Sequence, residues 1–88
     1  MLTRKITVTN PSGLHMRPAG VLVITAQPFR SRVMFGIRGN DYNAKSMLNV
    51  LSACVKCGDE IELIIYGEDE LACMDAVAAA IENGLGEK

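Results

Sequence analysis

The 88-residue chain contains one histidine, His15, within the stretch Ser12-Gly13-Leu14-His15-Met16-Arg17-Pro18-Ala19. Imidazole is suited to carrying a phosphoryl group, because one ring nitrogen is nucleophilic at neutral pH while the other can be held by a hydrogen bond. The surrounding residues place it where a turn passes into a helix. The first N–H groups of a helix have no intrahelical partner and the macrodipole is positive there, which favours an anion carried on His15 by about 0.3–2 kcal/mol. Arg17, two residues on, is charged at all relevant pH and its guanidinium can fork onto phosphate oxygens. A single histidine in a loop is more often a plain surface or capping residue. Position and neighbours are what raise His15 above that reading.

Two serines add to the chemistry. Ser12 ends the turn before His15, where its hydroxyl is able to contact phosphate or a partner, or serve only as a turn residue. Ser46 precedes Met47, Leu48, Val50 and Leu51 and reads as the N-cap of a short helix. The cysteines carry less. Cys54 and Cys57 have C-x-x-C spacing, but a structural metal site usually needs four ligands and only Cys73 and the distant His15 remain. No metal or other cofactor is expected, and all three thiols are expected to be reduced, partly buried small hydrophobes.

The elements that must position these groups follow from hydrophobic period. Leu2, Arg4, Ile6 and Val8 alternate with Thr3, Lys5, Thr7 and Thr9 as a first strand, stopped by Asn10-Pro11-Ser12-Gly13. A helix follows from Met16 to near Pro28, with Pro18 tolerated in its first turn. Val33, Phe35 and Ile37 mark a second strand, Gly39-Asn40 a turn and Tyr42 a short third strand. Ser46 to Ala53 reads as the short helix. Gly58-Asp59 precedes a fourth strand in which Ile61, Leu63 and Ile65 alternate with Glu60, Glu62, Ile64 and Tyr66. A last helix begins at Glu68-Asp69-Glu70, carries Leu71, Met74, Val77, Ala78, Ile81 and Leu85 on its apolar face, and stops at Gly84 and Gly86. The order βαββαβα makes a two-layer α+β domain, an open-faced sandwich.

Composition narrows the partners. Nine basic and ten acidic side chains are mixed along the chain for a net charge of −1, which excludes the basic footprint of a nucleic-acid binder. The longest nearly apolar run, Ala19 to Ala26, is far short of the roughly 20 residues of a membrane span. The opening residues read as a strand rather than a signal segment, and with the odd number of cysteines this points to a reduced, cytoplasmic protein. A chain this short has material for one core, so residues 1–88 are expected to be a single domain without a large internal cleft.

Gly-Leu-His-x-Arg-Pro-Ala, with its histidine at a helix start, resembles the active-site signature of the HPr family, the histidine-containing phosphocarriers of the phosphoenolpyruvate:sugar phosphotransferase system. Length, element order and the second stretch Asn43-Ala44-Lys45-Ser46-Met47-Leu48 extend the resemblance over essentially the whole chain. It implies a four-stranded antiparallel sheet covered on one face by three helices. It implies that His15 accepts a phosphoryl group from phosphorylated Enzyme I and passes it to an Enzyme II A domain, steadied by Arg17, so that the protein is an intermediate carrier rather than a stand-alone enzyme. It also implies that Ser46 is a regulatory phosphorylation site, with an HPr kinase/phosphorylase and a catabolite-control transcription factor as further partners. Phosphate there adds about −1.5 to −2 charge beside an apolar patch, which opposes docking of an acidic partner. Met16, Gly20 and Ile24 on the first helix with Met47, Leu48 and Leu51 on the short one would be that docking patch, although helices in so small a domain bury most of their apolar face and each residue taken singly reads as core. Ile24, Gln27 and Asn49 stand where familiar members often carry lysines, leaving Arg17, Lys45, Arg30 and Arg32 as the positive groups for steering. The contrasting reading is a regulatory binding module acting through Ser46 with His15 vestigial. An anonymous interaction domain, which periodicity alone supports, leaves the histidine motif unexplained.

Overall fold

The computed structural model describes residues 1–87. The elements run β1 (Leu2–Thr7), α1 (Met16–Ala26), β2 (Arg32–Ile37), β3 (Asn40–Asn43), α2 (Met47–Ser52), β4 (Glu60–Tyr66) and α3 (Glu70–Glu82). The strands form one antiparallel sheet in the order β1-β4-β2-β3. In β4 the alternation is strict: Ile61, Leu63 and Ile65 are buried, while Glu60 and Tyr66 are exposed. That face, with Val33, Phe35 and Ile37 of β2, lies under Ala19, Leu22, Val23 and Ala26 of α1 and Cys73, Val77, Ala78 and Ile81 of α3. Phe35 stacks on Tyr42 across β2 and β3 with ring centroids 5.6 Å apart. α1 packs against both α3 and α2, so all three helices cover one side of the sheet.

Several details differ from the sequence reading. The β2–β3 hairpin turns on Arg38-Gly39, one residue earlier than Gly39-Asn40, because both residues take positive φ (51° and 79°), the geometry of a type I′ turn matched to strand twist. Arg38 then reaches across to donate to the carbonyls of Ala53 and Cys54 and to pair with Asp59, tying the hairpin to the loop after α2. Leu71 is not on the buried face of α3 but is 69% exposed, since Met74, Val77, Ala78 and Ile81 suffice to meet the sheet. Arg4 occupies an apolar-pattern position of β1, yet is exposed and donates to the Glu82 carboxylate at 3.1 Å. Cys54 and Cys57 are exposed rather than partly buried; only Cys73 lies in the core, where burial pushes its thiol up.

Candidate functional site

His15 is the N-cap of α1, with extended backbone (φ −74°, ψ −178°), and its side chain makes no capping hydrogen bond. The Ala19 N–H donates to the His15 carbonyl at 2.8 Å and closes the first turn. Pro18 has no N–H to leave unpaired, and among the described residues the Met16 and Arg17 N–H groups have no protein acceptor. The imidazole is therefore exposed beside two free amide donors at the positive end of an 11-residue helix.

The loop before it is fixed by a close approach. Gly13 has φ +62°, and a Cβ there would lie 2.4 Å from the Val55 carbonyl oxygen and 2.7 Å from the Lys56 Cα. The Leu14 N–H donates to the Val55 carbonyl at 2.9 Å, and Leu14 is buried. This seam brings the loop after α2 against His15. One shallow hollow is lined by Pro11, Ser12, His15, Arg17, Lys56 and Glu87, and an adjoining one by His15, Leu51, Cys54 and Lys56 among others.

Arg17 is exposed, and among the described residues no carboxylate lies within ion-pair reach of its guanidinium. Ser12 is engaged: its hydroxyl donates to the Glu87 carboxylate at 2.8 Å and its N–H at 3.1 Å. The other cations expected to surround the site are elsewhere or occupied. Lys45 donates through Nζ to the Phe29 carbonyl, Arg30 pairs with Glu68, and Arg32 starts β2 opposite Tyr66. Lys56 takes their place. It was missed because nothing in its local sequence announces a site; only the contact at Gly13 puts it there.

Ser46 is the N-cap of α2 as its position predicts, its hydroxyl oxygen accepting from the Asn49 N–H at 3.3 Å and from Asn49 Nδ2 at 3.2 Å. The six apolar-patch residues divide: three stand in water, while Met47 and Leu51 pack against the edge of the core. Met16, Ile24 and Leu48 are 68%, 70% and 78% exposed, and Gly20, Met47 and Leu51 are half-buried. Met16, Gly20 and Ile24 follow one another at i, i+4 on a single face of α1, and space at the Gly20 Cα is open. Three large apolar side chains are thus left in water on two neighbouring helices.

Comparison with known proteins shows the family of the chain. A family model described as the PTS HPr component phosphorylation site matches residues 2–83. The phosphocarrier protein HPr of Treponema pallidum is 34% identical over 88 residues, covering all of both chains. The HPr-like protein Crh of Bacillus subtilis is 37% identical over 83 residues, 94% of this chain and 98% of that one. Among solved structures, an HPr from Thermoanaerobacter tengcongensis superposes with a TM-score of 0.96 at 34% identity, covering 100% of this chain and 99% of that one.

Proposed function

The chain belongs to the HPr family of phosphocarriers of the sugar phosphotransferase system, and on that premise we propose that His15 is the residue that carries the phosphoryl group. The observation that carries this reading is the exposed imidazole at the N-cap of α1, next to Met16 and Arg17 amides and an Arg17 guanidinium that, among the described residues, have no hydrogen-bond or ion-pair partner. An unprotonated ring nitrogen attacks phosphorus; the phosphorus–nitrogen bond forms as the bond to the donor's leaving group breaks. The oxygens gain charge-assisted hydrogen bonds from Arg17 and the helix amides, and onward transfer reverses the step on an acceptor.

The donor in this reading is phosphorylated Enzyme I and the acceptor an Enzyme II A domain, both met in the cytoplasm. No described helix is long and apolar enough to cross a membrane. Met16, Gly20, Ile24, Met47, Leu48 and Leu51 form the shared docking surface, and the pliable methionines suit several partners in turn. Ser46, presented at the edge of that surface, is the site for a regulatory kinase and hence for recognition by a transcription factor; relatives named Crh are consistent with such a second role. The alternative in which Ser46 alone functions accounts for neither the exposed Arg17 guanidinium nor the exposed His15 ring at the helix start.

Incubation with phosphoenolpyruvate and Enzyme I tests the reading. The chain should acquire an acid-labile label, and His15→Ala should fold yet stay unlabelled, since an exposed ring with no hydrogen bond contributes little to stability. A label that survives mild acid, or that persists in His15→Ala, contradicts it.

A further inference from the structure

After α3 the chain turns back toward His15. Gly84 takes φ +86°, Leu85 is buried with its N–H on the Ala80 carbonyl at 2.9 Å, and the Glu87 N–H donates to the Gly84 carbonyl at 2.8 Å. This return delivers the Glu87 carboxylate to three donors: Ser12 N–H at 3.1 Å, Ser12 Oγ at 2.8 Å and Asn10 Nδ2 at 2.9 Å. Asn10 is 2% exposed and also donates to the Gly13 carbonyl at 2.7 Å, so the donors belong to one fixed loop. The Asn10 and Ser12 hydrogen bonds, with the Arg17 charge nearby, hold the Glu87 carboxyl below its ordinary range. Glu87 thus sits ionised on the rim of the hollow that contains His15, Arg17, Lys56 and Cys57.

A phosphoryl group on His15 brings a second anion into that hollow. We propose that Glu87 is an internal anion that competes with this phosphoryl group for the Ser12 donors and for Arg17, raising the free energy of the phosphorylated protein and making it a readier donor. The proposal rests on the reading of His15 as the acceptor. Glu87 is a positioning residue in it: the phosphorus–nitrogen bond breaks as the bond to the acceptor atom forms, the electron pair returns to the ring, and the carboxylate exchanges neither a bond nor a proton. Lys56 and Arg17 oppose the repulsion, so the effect is of the size of a partly screened pair.

The test is a partition experiment. The unaltered chain and Glu87→Gln, distinguishable by mass, share a limiting pool of phosphoryl groups through catalytic Enzyme I. At equilibrium the label should favour Glu87→Gln by about threefold to tenfold at low salt, approach parity in about 1 M salt, and stay near parity for Glu87→Asp, which keeps the charge. The Ser12 amide resonance should follow a carboxylate titration in the unaltered chain and not in Glu87→Gln. Equal partition at low salt overturns the proposal while leaving His15 as the acceptor. Absence of label on both chains overturns the acceptor assignment itself.

Discussion

Two carboxylates at opposite ends of the sheet are held by nearly the same donors. Asp69, the N-cap of α3, accepts from the Arg30 N–H, the Ser31 N–H and the Ser31 hydroxyl, and Glu87 accepts from Ser12 N–H, the Ser12 hydroxyl and Asn10. What differs is the company. Ser31 is fully buried, and Gly67 presses so close that a Cβ there would lie 2.6 Å from the Ser31 hydroxyl oxygen. Ser12 is exposed and borders a hollow lined by the exposed His15 imidazole and the exposed Arg17 guanidinium. The same serine–carboxylate bonding therefore closes a loop at one end and meets reactive groups at the other. Hydrogen bonds alone do not mark a site; exposed, unpaired chemistry beside them does.

Substitutions can break this comparison, beginning with the largest effect. If Arg17 holds the phosphoryl oxygens as proposed, Arg17→Ala should slow phosphoryl acceptance and donation by about 10–100-fold with little change in melting temperature. Arg17→Lys should recover only part, because a point charge does not fork. Rapid-quench transfer from Enzyme I measures both. If Arg17→Ala transfers normally, the two ends are not chemically distinct.

The serines should separate by stability. Ser31→Ala leaves part of the Asp69 carboxylate without its donor in a closed corner and should lower the thermal midpoint by several degrees, whereas Ser12→Ala, at an exposed loop, should stay within about 2 °C of the unaltered chain. Calorimetry decides, and equal shifts would erase the contrast.

The smallest effect is in pH. The Ser31 hydroxyl, aided by the Arg30 amide, holds the Asp69 carboxyl below its ordinary value of 3.8 in the folded protein. A depressed carboxyl stabilises the fold above its unfolded value, and that contribution is lost as pH falls through the folded value. Melting temperature should therefore fall as pH drops below about 4, less steeply in Asp69→Asn. Glu87→Gln should change this profile less, since an amide oxygen at that position can still accept from Asn10 and Ser12. Parallel profiles for Asp69→Asn and the unaltered chain would count against the structural role of Asp69.

Much of this arrangement is legible in the residues themselves. The alternation of Ile61, Leu63 and Ile65 needs no partner to be read as a strand with one wet face, and Gly-Leu-His-x-Arg-Pro-Ala places a histidine at a helix start through local turn and proline rules. Ser46 as a cap is equally local. Lys56 and Glu87 are not, because they arrive at the site through the Gly13 seam and the return after α3, contacts between residues some 40 and 75 positions apart. Leu71 fits the helical period yet faces water, since period gives a direction around a helix and not the width of the surface that covers it. The exposure of Met16, Ile24 and Leu48 escaped residue-by-residue reading for the same reason.

The most direct test of the central claim is NMR of the chain phosphorylated by Enzyme I. The account predicts a phosphoramidate phosphorus signal coupled to the His15 ring, with the largest amide shifts at Met16 and Arg17. A phosphoester signal, or a phosphoramidate that leaves those two amides unmoved, would contradict it.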